Sequence, residues 1–432
     1  MWSDRTPPEH LRKLVEGLRS VVPDPSQCRA SDQIEPHHSR PGFAHLGEVG
    51  SFDAPLATVT YWGGHGVVSG PQGTINLSTR GFDLLQAMLD AWRDVPEAIL
   101  VGFLSYDLAS EIEDLGPAPP AHFTFPKFYL GLYRSPASSM EDFHATEPLN
   151  SRGPLRSQPD HASFESAVAR TVARIHAGEI FQTNVCRSVE TELDPGTEWD
   201  LYARMRTISP ARYEAFLRID DRHTVLSISP ELFLKVEAGI VESGPIKGTR
   251  PRGCSQERDR SLLEELRSSE KDRAELAMIV DVVRNDLGRV CQTGTVEVVQ
   301  HAESMSLPTV HHLFSTVRGR LRDDAGIVDL LRAAFPAASI SGAPKIEAMR
   351  VATREEGQLR GPCMGAIGWI SLDGRMELSV AIRTAFVADG KVHYYAGCGI
   401  TSDSVPTTEF EESRHKAAAF VRALGRENDP NW

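Results

Sequence analysis

The 432-residue chain has no long apolar run: stretches such as 417–421 break within a few positions, far short of the roughly 20 residues a membrane span needs. It also lacks paired cysteines. Cys28, Cys186, Cys254, Cys291, Cys363 and Cys398 are scattered and none forms C-x-x-C, which sets aside a disulfide framework or a zinc ribbon. Buried thiols in a reducing cytosol are the expected reading. A basic surplus is missing too. Lysine and arginine total 46 against 59 aspartates and glutamates, a formal charge of −13, which disfavours nucleic acid or an anionic membrane surface as main partner. The opening Met-Trp-Ser-Asp-Arg-Thr lacks the basic-then-apolar layout of a secretory signal, so a cytoplasmic protein is expected. No internal repeat or low-complexity tract stands out. What is present is ordinary globular composition, 41% hydrophobic and 24% charged. At about 100–200 residues per domain, the length allows two or three domains or one large body.

The first third differs in texture from the rest. A helix is expected over 11–22, short strands at 56–62 and 67–69, an amphipathic helix at 82–92, and strands at 98–106 and 128–133. Residues 136–160 carry Pro136, Pro148, Pro154 and Pro159 among serines and charges, which predicts a surface connection. Beyond it, 164–177 shows helical spacing and stops at Gly178. Strand-like runs at 215–218, 224–228 and 232–236 suggest an antiparallel meander. Over 270–289, Leu276, Ile279, Val280, Val283 and Leu287 line one face of a helix. Helices at 328–334, 346–355 and 409–423 alternate with strands at 364–371, 378–387 and 392–395. Paired strands between helices predict an α+β fold rather than a parallel doubly wound sheet.

Four groups of residues have chemical potential. Asp272 and Glu275 are three apart, as are Glu409 and Glu412, so each pair shares a helix face. A hard cation such as Mg2+ would compensate such charges, but spacing alone favours a solvated face beside Arg273 and Arg414. Gly397-Cys398-Gly399 follows a strand and lets backbone N–H groups approach an anion, although by itself the motif is better read as a tight turn. In Gly244-Pro-Ile-Lys-Gly-Thr-Arg-Pro-Arg-Gly253, Lys247 sits between apolar Ile246 and Gly248. A lysine in an apolar pocket loses its proton and becomes a nucleophile, whereas Lys247, Arg250 and Arg252 also fit a solvated basic loop. Gly361-Pro-Cys363-Met-Gly365 matches a cysteine elbow, but a strand follows where a helix is needed, so the structural reading is preferred.

Together these segments resemble the chorismate-utilising enzymes, which include component I of anthranilate synthase and of aminodeoxychorismate synthase, and the isochorismate and salicylate synthases. The resemblance runs through Gly178-Glu-Ile-Phe-Gln-Thr-Asn184, Ser229-Pro-Glu231, Pro245-Ile-Lys-Gly-Thr-Arg250 and the helix 270–281, then Arg284-Asn-Asp-Leu-Gly-Arg289. It continues through His311-His-Leu-Phe-Ser-Thr316, Ser341-Gly-Ala-Pro-Lys345, Ala381-Ile-Arg-Thr384 and 397–416. It implies a single large anthranilate synthase component I-like α+β body, with two antiparallel β-sheets packed between layers of helices. Residues 1–135 match loosely and are expected to pack into that body; 136–160 is the connection, 161–425 the chorismate-binding catalytic region, and 426–432 a tail.

Two positions separate the branches. Isochorismate and salicylate synthases have a general-base lysine where this chain has Gln182, and anthranilate synthases resemble Pro-Ile-Ala-Gly-Thr where it has Lys247. The Pro-Ile-Lys-Gly-Thr form is that of aminodeoxychorismate synthase. The resemblance therefore implies that Lys247 attacks C2 of chorismate as the C4 hydroxyl leaves, after which ammonia attacks C4. Glu231 would be the general acid and later base, and His312 would assist near the ring. Glu275 and Glu412 would hold Mg2+, with Asp272 and Glu409 behind them. Arg383, Lys416 and the Gly397–Cys398–Gly399 backbone would bind substrate carboxylates, with Gln182 and Thr249 beside the ring. No glutaminase segment is recognisable, so a separate glutamine amidotransferase supplying ammonia is the expected partner, with 4-aminobenzoate and folate synthesis downstream. Anthranilate synthase component I and a silent chorismate-binding subunit are the alternatives. After Phe335-Pro336 the family has glycine where this chain has Ala338, and alanine resists positive φ, so that loop is expected to take a different path.

Overall fold

The computed structural model describes residues 8–22, 38–95, 97–134, 149, 151–429 and 431. Cys28 and most of the expected connection, 136–148, lie outside the described residues.

Strands buried on both faces build the protein. In His223–Ser229, Val225 joins the core between the sheets while Leu226 joins the core beneath the helices. Tyr395 and Tyr394 of Lys391–Ile400 divide the same way. Side chains alternate with a period of two, so a strand covered on both faces must be apolar throughout. Full burial of a side chain such as Leu226 contributes about 1.5–3 kcal/mol.

Among the described residues these strands form two antiparallel sheets, one of nine strands and one of twelve. The nine-stranded sheet runs from Gly342–Ala343 through Gln182–Leu193, Lys391–Ile400, Thr384–Ala388 and His223–Ser229 to Tyr213–Arg218, Ala44–Leu46 and Gly50–Phe52. The twelve-stranded sheet begins at Ile246–Pro251, continues through Val310–Arg320, Ile240–Gly244, Leu232–Glu237, Met376–Val380 and Ala366–Ser371, and ends on strands of the first third. Leu217, Val225 and Phe386 of one sheet and Phe103 and Leu378 of the other share a single core. Helices Pro406–Ala423 and Glu198–Ile208 pack on the nine-stranded sheet, and Glu270–Gly288 packs on the twelve-stranded one. The fold is thus α+β with paired antiparallel sheets. The first third is hydrogen-bonded into both: Ala44–Leu46 pairs with Tyr213–Arg218, and Ile99–Leu104 with Ala366–Ser371.

Several local expectations need correction. The end of the expected surface connection is a strand, Ser151–Gln158, paired with the edge of Gln182–Leu193. The single strand expected at 378–387 is two, Met376–Val380 and Thr384–Ala388, in different sheets. Its hydrophobic pattern is continuous because both sheets face one core, so periodicity does not mark the crossing. Four of the five described cysteines are buried, but Cys254 is exposed. Ala338 opens a short helical turn, Ala338–Ser341, where alanine is at ease; the positive φ of that loop falls on Gly342, at 138°.

Candidate active site

Two crossings between the sheets form the centre of the site. The chain leaves His223–Ser229 for Leu232–Glu237 through Ser229-Pro230-Glu231, and returns from Met376–Val380 to Thr384–Ala388 through Ala381-Ile382-Arg383. Val380 N–H donates to Glu231 O at 3.0 Å and Ile228 N–H to Arg383 O at 3.1 Å, which holds the crossings side by side. Arg383 adopts φ 49°, a left-handed conformation costing a non-glycine residue about 1–3 kcal/mol.

The third element is Ile246–Pro251. Opposite Val310–Arg320 its register slips at Gly248, so that Lys247 faces Leu313 and Thr249 faces His312. Gly248 has φ 68°, and a Cβ there would come within 2.9 Å of Leu266 and 3.0 Å of Asp272. Only glycine fits this bulge. Lys247, half-buried, reaches across to the nine-stranded sheet. A Cβ at Gly399 would lie 3.4 Å from Lys247 Nζ and 2.3 Å from Gln182 Nε2, so the glycine opens the space that amine and amide occupy. Gln182 is buried, and its Oε1 has no hydrogen-bond partner among the described residues.

Electrostatics push these groups towards neutrality. Burial pulls the Lys247 amine below the ordinary lysine value; Lys416 adds to this, while Glu275, Glu231 and Glu412 oppose it. Burial also pushes the Glu231 carboxyl up to about 7, against the Ser339 hydroxyl, the Lys247 charge and the Ile246 N–H. His312 is buried, and its Nδ1 lies 3.2 Å from Gly248 O and 3.0 Å from Thr249 Oγ1. A carbonyl only accepts, so Nδ1 carries the proton and Nε2 accepts from Arg383 Nη2 at 3.2 Å. Burial and the Arg383 charge hold His312 down at about 4, which leaves the ring neutral.

The rim of the site carries charge. Glu275 comes from Glu270–Gly288, and Glu409, Glu412 and Lys416 from Pro406–Ala423. Lys416 Nζ lies 2.8 Å from Glu412 Oε1 and donates to Gly397 O at 2.9 Å. Ligand atoms of Cys398, Glu409 and Glu412 lie within 4.8 Å of one another. Burial raises the Glu275 carboxyl, and the Asp272 and Glu412 charges raise it further against Lys247 and Lys271. Oxygen donors that repel one another at a partly exposed rim suit a hard divalent cation.

Not every expected residue joins these groups. Asp272 is turned to Arg250 Nη2 at 3.1 Å. The Cys398 thiol donates to Glu409 O at 3.2 Å, and Gly397 offers its carbonyl to Lys416. Thr249 contributes its hydroxyl to His312. Reading the sequence missed Ser209, whose Oγ accepts from Arg383 Nη1 at 3.4 Å, and Ser339 beside Glu231. It also missed the ion pair of Lys345 with Asp286. Lys345 ends a quoted motif, so its position was visible although its partner was not.

The chorismate binding enzyme family matches residues 50–422. Anthranilate synthase component 1 of Streptomyces coelicolor is 37% identical over 373 residues, covering 76% of this chain and 73% of that protein. Aminodeoxychorismate synthase component 1 of Salmonella typhimurium is 34% identical over 347 residues, covering 75% of this chain and 76% of that protein. Anthranilate synthase component I from Streptococcus pneumoniae superposes with a TM-score of 0.75 at 25% identity, covering 93% of this chain and 99% of that one. With the family match running from residue 50 to 422 and a solved relative superposing over 93% of the chain, the chain belongs to the chorismate-binding enzyme family.

Proposed function

We propose that this chain is component I of aminodeoxychorismate synthase, converting chorismate and ammonia to 4-amino-4-deoxychorismate for 4-aminobenzoate and folate synthesis. The observation that carries this reading is Lys247, an amine with a depressed pKa held beside Gly399 and coupled to Glu231. Neutral Lys247 Nζ bonds to C2 of the ring while the C4–O bond breaks, and Glu231 gives its proton to the hydroxyl, which departs as water. Ammonia then bonds to C4 as the C2–Nζ bond breaks, which frees Lys247 as the neutral amine. Glu231 regains its proton from the new C4 ammonium. Arg383 and Lys416 bind the substrate carboxylates. His312 fixes the Arg383 guanidinium through Nε2.

Glu275 and Glu412 would hold Mg2+, with Asp272 and Glu409 behind them. The ion when bound supplies positive charge to a substrate carboxylate. A separate glutamine amidotransferase is the proposed ammonia donor, and Phe181, next to Gln182 and 70% exposed, offers it an apolar anchor. We place the protein in the cytosol, which suits the free thiols of Cys186, Cys254, Cys291, Cys363 and Cys398. Among the described residues no helix is long and apolar enough to cross a membrane.

The similarity to anthranilate synthase component 1 supports a second reading, formation of anthranilate. Mass spectrometry of the products from chorismate, Mg2+ and ammonium decides between them. A C4-amino product is expected; anthranilate alone would overturn the branch assignment, and no turnover would favour a silent subunit.

A further inference from the structure

A small cavity of about 10 Å3 adjoins Glu231, with Ser243, Asp286 and Ser339 as the other polar members of its wall. That volume is about the room one water molecule needs, and a cavity with several polar groups holds water where an apolar one stays dry. Ser339 is 8% exposed; its hydroxyl faces the Glu231 carboxyl but makes no hydrogen bond of its own among the described residues. Buried hydroxyls are seldom left so. Glu231 itself is 3% exposed. The far wall is fixed: Lys345 Nζ donates to Asp286 Oδ2 at 2.5 Å, to Ala334 O at 2.8 Å and to Pro336 O at 2.9 Å.

We propose that one ordered water occupies this cavity and bridges the Ser339 hydroxyl and the Glu231 carboxyl, making Ser339 a positioning residue for Glu231. Its function rests on Glu231 acting as the proton carrier proposed above. Glu231 passes between acid and carboxylate in each cycle, and water suits both states because it donates and accepts. When the carboxyl is protonated, its O–H donates to the water, which donates to Ser339 Oγ. After the proton leaves, the Ser339 hydroxyl donates to the water and the water donates to the carboxylate. The charged groups facing this exchange are Lys247 from Ile246–Pro251, Asp286 from Glu270–Gly288 and Lys345 from Lys345–Glu356, together with the Ile246 N–H.

Two measurements without turnover test the proposal, so its failure is distinguishable from failure of the C4-amination reading. A high-resolution crystal structure should show one water within hydrogen-bond reach of Ser339 Oγ and Glu231, lost or displaced in Ser339→Ala. A dry wild-type cavity would overturn the bridge. Infrared titration of the carboxyl band that disappears in Glu231→Gln reads the proton directly. Losing one hydrogen bond to the ionised carboxyl should move its midpoint up by about one pH unit in Ser339→Ala. Ser339→Thr, which keeps a hydroxyl, should restore the wild-type midpoint. An unmoved midpoint in a folded Ser339→Ala protein would remove Ser339 from any positioning role.

Discussion

The sheet crossings and the helical rim use the same residue types in opposite ways. Glu231 at a crossing and Lys247 on the strand beside it are both driven towards neutrality, the lysine downward and the glutamate upward. Lys416 and Glu412 form an ion pair at 2.8 Å, with side chains 46% and 50% exposed. There burial would lower Lys416, but Cys398 and Glu412 raise it; burial would raise Glu412, but Lys416 lowers it. Burial without full pairing drives a lysine and a carboxyl towards their neutral forms, whereas an open rim with paired charges keeps both groups ionised. Under the proposed function, a dianionic substrate would meet permanent charge at the exposed rim and groups driven towards neutrality between the sheets.

The comparison breaks most completely at Lys247. Lys247→Ala should abolish the C4-amino product from chorismate and ammonium while leaving chorismate binding measurable by calorimetry. Retention of product in that variant would end the covalent reading. Next comes Glu231→Gln, expected to lower kcat by about 10²–10⁴-fold, the usual worth of a general acid. The same variant carries a stability signature of opposite sign. The folded carboxyl titrates at about 7 against an ordinary 4.5, so burying it costs nothing below about 4.5 and progressively more as the pH rises towards 7. Glu231→Gln should thus gain up to about 3 kcal/mol in denaturant midpoint measurements at pH 8 and little at pH 4. In wild type, the pH profile of activity should be bell-shaped, one limb near 7 set by Glu231 and the other, below the usual lysine range, set by Lys247.

Much of the base of the site was legible because its residues lie in motifs, at the crossings and on the nucleophile strand. The path of the chain between them was less so. Arg383 at φ 49° cannot be read from an Ala-Ile-Arg-Thr string, and the apolar run on either side conceals the change of sheet. The hairpin Glu297–Ser306 with Val310–Arg320 was missed because its first strand is mostly exposed and lacks apolar alternation. Helix Gln256–Ser268 escaped for a related reason, since it buries only Leu262 and Leu266. The rim was legible as spacing on two helices. Its pairing was not: Asp272 and Glu275 are equivalent in sequence, yet Arg250 takes the first and leaves the second facing Glu412.

That asymmetry gives the rim its sharpest test. Glu275→Gln should raise the Mg2+ concentration for half-maximal activity by at least about 10-fold, since even residues supporting a metal ligand are worth that much. Asp272→Asn should change it less, because its carboxylate is committed to Arg250. Equal effects of the two substitutions would place both carboxylates on the metal.

His312 discriminates most finely between base and rim. It is buried like the base, yet its Nε2 serves a charged group, Arg383, as rim residues do. If it only orients Arg383, His312→Ala loses one hydrogen bond to a charged donor, worth about 1.5–3 kcal/mol, which should appear as a KM for chorismate raised about 10-fold or more with kcat nearly unchanged. The ring is held neutral at about 4, so the pH profile between 5 and 8 should keep its wild-type shape. A histidine transferring protons in the reaction would behave otherwise, with kcat collapsing and one limb of the profile vanishing. That outcome would move His312 from the support of Arg383 into the proton chemistry, and the tautomer fixed by Gly248 O would no longer account for its role.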